Sequence, residues 1–269
     1  MILASGATHA VVNAILKAGR DKMSSRALID GFSALLVLPF AFFLPLPTGA
    51  WGWLIGSWAT HLAYLSFLIK AFESADMTVA YPILRGVAPA LAALASVLIF
   101  GEPVSPGAAA GITLVSAGVM AVGLGRHVDR RALLWALATG VTIALYTVID
   151  AQGVRAAPSA ASYIVWVYLL LGGGIGALFA LWRGRAFLVA ARSEWKPGLA
   201  AGFLSIVTYG LALGAYRLGS TPKLAALRET SILFATAIGV FILKERMTRA
   251  RLAGIAAIAA GAGLLLFSR

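Results

Sequence analysis

"LRGVAPALAALASVLIFGEPVSPGAAAGITLVSAGVM", residues 84–120, falls without a gap on "LRETSILFATAIGVFILKERMTRARLAGIAAIAAGAG", residues 227–263, when the chain is displaced on itself by 143 positions. Matches of Ala, Val and Ile come freely in so apolar a sequence. The agreement of Leu84 with Leu227, Arg85 with Arg228, Glu102 with Glu245, Gly111 with Gly254 and Gly118 with Gly261 at a single offset does not. It marks an internal duplication, with a first half of residues 1–125 and a second of residues 126–269.

Composition sets the environment. Of 269 residues, 61% are hydrophobic and 12% charged, with a mean hydropathy of +0.91, whereas soluble domains carry about 25% charged residues. Ten apolar stretches are read at about 2–19, 27–46, 51–73, 78–100, 105–125, 131–151, 160–182, 196–217, 221–243 and 249–268. Each is close to the ~20 residues that cross ~30 Å of hydrocarbon. Continuous apolarity predicts helices, because a membrane barrel alternates polar and apolar residues in segments of about ten. The expected fold class is an all-α integral membrane protein with ten transmembrane helices. Each half holds five spans, an odd number, so the second half enters the membrane inverted and the plan is a 5+5 inverted repeat. The longest connection, Arg183 to Lys196, leaves no room for a soluble domain. The N-terminus runs into the first span with no small-residue cleavage site after it, which reads as an uncleaved helix. The sequence has no cysteine, which excludes disulfides, thiol catalysis and Cys-ligated metal.

The net charge of +12 is distributed unevenly. Odd-numbered connections carry sixteen Lys and Arg, among them Arg20, Arg26, Lys70, Arg130, Arg185, Arg192 and Arg249; even-numbered connections and termini carry Arg155, Arg217, Lys223 and Arg269. That bias places the odd connections in the cytoplasm and both termini outside, with anionic headgroups rather than nucleic acid as the partners of the basic residues.

Two cations lie inside spans. An ionisable residue there costs at least ~2.5–3.5 kcal/mol and normally faces the bundle interior, water or a partner. Arg85 sits in an otherwise apolar helix, and Pro89, lacking an amide hydrogen, leaves the carbonyl of Arg85 unpaired beside its own guanidinium. Arg85 either meets an anionic substrate or pairs with an interior carboxylate such as Asp30 or Glu73. Arg228 stands at the matching place in the other half. Its neighbour Glu229 points about 100° away around the helix, so each requires a different partner.

Polar stripes extend the candidate site. His9, Asn13 and Lys17 recur every four residues along one face of the first span, with Lys17 close enough to the end to snorkel. Trp58, His61 and Tyr64 recur every three on the third span. With Tyr81, on the helix of Arg85, they complete a substrate-contact set of Arg85, Arg228, His9, Asn13, His61, Tyr64, Tyr81 and Trp58. Tyr163, Trp166, Tyr168 and Tyr209 are further candidates for aromatic lining. Glu229, Asp150 and His61 are the candidates for proton coupling. The small-residue stripes "GAAAGITLVSAG" and "GIAAIAAGAG" permit close helix packing, which is read as intramolecular in a monomer, and "LGGGIGAL" reads as a hinge.

The Gly101-Glu102-Pro103 turn, its echo at Lys244, Glu245 and Arg246, the small-residue helix after each and the five-plus-five plan resemble the drug/metabolite transporter superfamily in its ten-helix EamA-type branch. "HAVVNAILKAGRDK" and "VAYPILRG" resemble one subgroup of those permeases. The resemblance covers essentially the whole chain. It implies an inner-membrane permease working by alternating access around a central cavity, with the fifth and tenth helices packed together outside the transport core. Relatives are drawn with both termini in the cytoplasm, whereas the charge bias here argues the reverse.

The expected function is that of a secondary transporter for a small polar metabolite, anionic or zwitterionic, because a guanidinium binds carboxylate and phosphate through a planar fork. No GxxxxGK[ST] loop is present, which excludes ATP drive within the chain. The alternative is a membrane-embedded enzyme acting on a lipid-phosphate or prenyl substrate. Such chemistry calls for clustered acids or a phosphate loop, whereas the ten acids here are scattered and the three histidines lie on separate segments. No enzyme activity, cofactor or metal is expected.

Overall fold

An apolar segment in lipid must satisfy its own backbone, and a helix does so within the segment. The computed structural model describes residues 1–18, 22–75, 77–122, 129–241 and 247–268, and every regular element among them is helical. In chain order they are α1 (Ile2–Ala18), α2 (Lys22–Val37), α3 (Trp51–Ser74), α4 (Met77–Phe100), α5 (Pro106–Val122), α6 (Arg130–Ala156), α7 (Ala160–Val167), α8 (Gly174–Arg183), α9 (Arg185–Leu218), α10 (Thr221–Arg228), α11 (Ser231–Phe241) and α12 (Arg249–Phe267). A 3-10 turn, Leu38–Phe42, prolongs α2, and a π-helical turn, Tyr168–Gly173, joins α7 to α8.

Among the described residues, seven stretches are long and apolar enough to cross a membrane: Ser24–Phe42, Ala80–Phe100, Arg130–Ala156, Ala160–Arg183, Arg185–Leu218, Thr221–Phe241 and Arg249–Phe267. The three other predicted spans are helical too, but α1 and α5 have 17 residues each, and α3 is interrupted by polar residues including Thr60, His61, Lys70 and Glu73. The segment from Arg183 to Lys196 is a correction. It is not an open connection, because after Gly184, at φ +51, α9 begins at Arg185 and runs 34 residues through Pro197. "RAFLVAARSEWK" is rich in good helix formers and holds no breaker. At ~1.5 Å per residue α9 outruns the ~30 Å of hydrocarbon, so one end projects beyond it.

The chain divides into two compact units. The first comprises Met1, Leu3–Trp58 and Asp150–Arg217; the second comprises Ile2, Ala59–Ile149 and Leu218–Arg269. Each draws on both sequence halves, and α6 contributes to both, through Ile149 to the second and from Asp150 to the first.

In the first unit α1 turns Ser5 and Thr8 toward α9. Ser5 Oγ donates to the Thr208 carbonyl at 2.6 Å, and Thr208 Oγ1 donates to Thr8 Oγ1 at 2.7 Å. α2 packs on the π turn and on α8. At Gly172 the approach is so close that a Cβ would stand 2.7 Å from the Asp30 carbonyl oxygen. Two arginines close the helix ends. Arg217 Nη1 donates to the carbonyls of Val154 and Ala157 at 2.7 and 2.9 Å, and Arg155 Nε donates to the Tyr216 carbonyl at 3.0 Å.

In the second unit α5 packs antiparallel to α12 along their glycines. A Cβ on Gly118 would stand 2.8 Å from the Gly254 carbonyl oxygen and 2.9 Å from the Ile258 amide; one on Gly261 would stand 2.8 Å from the Gly111 carbonyl oxygen and 2.9 Å from the Val115 amide. The 143-residue offset turns each of these sets into the other: Gly118 becomes Gly261, Gly111 becomes Gly254, and Val115 becomes Ile258. α4 ends at Gly101, whose φ of +64 suits a residue without Cβ. Glu102 then reaches the start of α10, where its carboxylate accepts the Thr221 amide at 2.9 Å and the Thr221 hydroxyl at 2.8 Å. Lys223 Nζ donates to the Ser268 carbonyl at the end of α12, at 2.8 Å. The Lys244, Glu245 and Arg246 echo lies outside the described residues, as do Arg20 and the side chain of Lys17.

Candidate functional site

The second unit gathers buried charge on α4 and at a break between α10 and α11. Thr221–Phe241 reads as one apolar span, yet the helix stops at Arg228 and resumes at Ser231. Across the break the bonding tightens to three-residue steps. Glu229 N–H donates to the Ala226 carbonyl, Thr230 N–H to that of Leu227, Ile232 N–H to that of Glu229 and Leu233 N–H to that of Thr230. The Thr230 hydroxyl competes for the same Leu227 carbonyl at 2.7 Å. The polar run Arg228-Glu229-Thr230-Ser231 causes the interruption. It puts a cation at the C-terminus of one helix and an anion at the N-terminus of the next, both favourable to the helix dipoles.

Arg85 Nε lies 2.9 Å from Glu229 Oε2, with Arg85 6% and Glu229 3% exposed. The contact is an ion pair whose N–H is not aligned for a hydrogen bond, and Arg85 Nη2 has no acceptor among the described residues. Arg228, 8% exposed, lies within electrostatic range of Glu229. The expected partners of Arg85 are corrected here. Asp30 is taken by Arg26, four residues before it, at 2.7 Å, and Glu73 is exposed. The carboxylate beside Arg228 is instead the one that meets Arg85.

Glycines on either side bring the neighbouring helices onto Arg85. A Cβ on Gly86 would stand 2.4 Å from Met120 of α5, and one on Gly140 of α6 would stand 2.3 Å from Val87 and 3.0 Å from the Leu84 carbonyl oxygen. α4 continues unbroken through Pro82 and Pro89. Aromatic side chains complete the surroundings. Tyr81 and Tyr64 pack on the buried cluster of Leu84, Ala88, Ile143 and Tyr146. His61 stacks on Tyr146 with ring centroids 4.1 Å apart, and Tyr64 meets Tyr146 edge-on at 5.6 Å. Tyr81, Tyr146 and Tyr64 all lie within electrostatic range of Arg85.

Of the candidates read from sequence, the second unit therefore holds Arg85, Arg228, Glu229, Tyr81, Tyr64 and His61. Tyr146 was missed because a lone tyrosine on α6 carries no pattern. The first unit holds His9, Asn13, Trp58 and Asp150. There His9 is half-buried, Asn13 is exposed on α1, and Trp58 sets its indole Nε1 beside Gly174. Asp150 is fully buried, and its carboxylate accepts the hydroxyls of Tyr163 and Tyr209.

A family model for EamA-like transporters matches residues 130–267. The chain belongs to the EamA-like transporter family. That family's members are transporters rather than enzymes, and with seven membrane-length apolar helices among its described residues this member is a multi-pass membrane protein. A second model, for Small Multidrug Resistance proteins, matches residues 48–115 and fits the same superfamily. No curated protein matches the sequence. Solved structures are similar as well; one of them, a crystal structure, has a TM-score of 0.76 over 98% of this chain and 93% of its own at 20% identity, which establishes a common fold.

Proposed function

We propose that the chain is a secondary transporter that carries a small anionic or zwitterionic metabolite across the inner membrane by alternating access, with Arg85, Glu229 and Arg228 at the substrate site. The observation that carries this reading is the break in a membrane-length helix at the point where three buried charges meet. Transporters interrupt helices where backbone and side chains must address a polar solute at membrane depth. Arg85 and Arg228 both lie within electrostatic range of Glu229, so cationic groups gather at the break. A solute bearing carboxylate and ammonium replaces the Arg85–Glu229 pair group for group, its carboxylate on Arg85 and its ammonium on Glu229. No buried charge is then left unpaired, an outcome that costs about 3–5 kcal/mol when one partner of such a pair is removed. Arg228 adds positive charge beside Glu229, and Tyr64, Tyr81, Tyr146 and His61 supply an aromatic wall.

The ten-span inverted repeat belongs to the same proposal. Its support is the exchange of the α5–α12 glycine contacts under the 143-residue offset. Those contacts also occupy the small-residue stripes within the chain, which favours a monomer. For the topology with both termini outside, support comes from the minority cations. Arg155, Arg217 and Lys223 are all engaged on backbone carbonyls at helix ends, so they serve local structure and leave the cytoplasmic bias of the rest the stronger.

Counterflow in proteoliposomes tests the function, using radiolabelled L-alanine, L-glutamate, succinate and glycerol 3-phosphate. At least one is expected to exchange in the wild type, with the rate lost in both Arg85→Ala and Arg228→Ala. Normal exchange by both variants removes the two arginines from the site.

A further inference from the structure

Asp150 belongs to the first unit. It is fully buried in a membrane-length helix, and among the described residues it forms no ion pair. Its two oxygens are each met by a tyrosine hydroxyl: Tyr163 donates to Oδ1 at 2.7 Å, and Tyr209 donates to Oδ2. The cationic side chains nearest along the chain are committed elsewhere. Arg155, on the same helix, donates to the Tyr216 carbonyl; Arg217, on the helix of Tyr209, donates to the carbonyls of Val154, Ala157 and Pro158. Elsewhere in the unit Arg26 pairs with Asp30, and Glu194 accepts from Ser25.

The pocket is built for this contact. Gly153, three residues after Asp150, lets the Tyr163 ring lie against α6, where a Cβ would stand 2.4 Å from the Tyr163 hydroxyl. Tyr163 is itself fully buried, and Ser159 caps the helix that carries it by accepting the Ser162 amide at 3.0 Å. Tyr168 fixes the other side, its ring edge-on to Tyr209 at 6.5 Å and its hydroxyl donating to the Ser205 carbonyl at 2.5 Å.

We infer that Asp150 is the proton carrier of the transport cycle, with Tyr163 and Tyr209 as its positioning residues. The inference rests on the transporter reading above. The cluster accommodates both forms of the carboxyl group. Ionised, Asp150 accepts two hydroxyl hydrogens. Protonated, it donates its own hydrogen to one tyrosine oxygen, which accepts as readily as it donates, while that tyrosine turns its hydrogen away.

The test is solute movement in full-chain proteoliposomes, using whichever of L-alanine, L-glutamate, succinate or glycerol 3-phosphate the wild type exchanges. In Asp150→Asn, exchange at equal pH is expected to persist while accumulation driven by a pH gradient falls to that of empty liposomes; Asp150→Glu is expected to restore accumulation. Gradient-driven accumulation by Asp150→Asn equal to wild type overturns the inference, as does wild-type accumulation that follows a Na⁺ gradient and ignores pH. Absence of any wild-type exchange counts against the transporter reading instead. Should Asp150→Asn fail to fold, infrared difference spectra of aspartate-labelled wild type between acid and alkaline buffer decide the matter. An aspartic acid carbonyl band that appears and disappears reversibly, and shifts in Gly153→Ala, supports the carrier role; no such band overturns it.

Discussion

Arg85 and Glu229 form a buried couple in which each charge offsets the cost of burying the other. Glu229→Ala leaves a guanidinium in a dry interior, and the expected loss is about 3–5 kcal/mol, measurable as a lowered unfolding midpoint in detergent. Glu229→Gln keeps the shape and loses the charge, and is expected to destabilise nearly as much. A small effect of both variants would mean that Arg85 already has another partner. The presence of buried charge was legible from sequence, because Arg85 and Arg228 stand in apolar runs at one offset. Which acid answered Arg85 was not. Glu229 was read as pointing away from Arg228 on a continuous helix, whereas the helix breaks between them and α11, and adjacency in sequence says nothing about the helix across the way. Tyr146 was invisible for a related reason: its importance comes from stacking on His61, a contact between α3 and α6.

At the scale of elements, glycines set how closely α4, α5, α6 and α12 approach. Gly118→Ala and Gly261→Ala place a methyl against the same kinds of backbone atom at the same distances. Each is expected to cost about 1–3 kcal/mol through overpacking, and the two costs are expected to match in thermal unfolding. Unequal costs would argue that the relation between α5 and α12 is not two-fold. Glu102→Ala removes two hydrogen bonds to Thr221, with an expected loss of about 1.5–3 kcal/mol, since bonds to a charged group are the stronger kind. The stripes on α5 and α12 were readable because small residues at helical spacing have a direct packing meaning. The break at Glu229–Thr230 was not read, although "RETS" inside an apolar run was its signal: four polar residues offer the backbone alternatives that a helix interior does not. The π turn at Tyr168–Gly173 coincides with the "LGGGIGAL" segment, and such turns gather at functional sites. The helical course of Arg185–Lys196 was missed because basic residues were taken as a mark of connection, when they mark a membrane surface just as well.

At the scale of the whole molecule, membrane residence and helical class follow from composition, and the family from the second half of the chain. Orientation rests on charge. Because the natural sequence has no cysteine, a single Ala186→Cys reports sidedness without background; labelling from the cytoplasmic face alone is expected, and labelling from outside would reverse the topology. The central claim is that the buried charges serve a solute and are not merely a bolt between helices. Replacing the whole pair separates these roles, since well-packed apolar side chains in place of a buried ion pair are often neutral or stabilising. Counterflow by Arg85→Met/Glu229→Met, measured beside its unfolding midpoint, is the most direct test. The account predicts a folded protein of near wild-type stability that exchanges no solute, whereas exchange at the wild-type rate would contradict it.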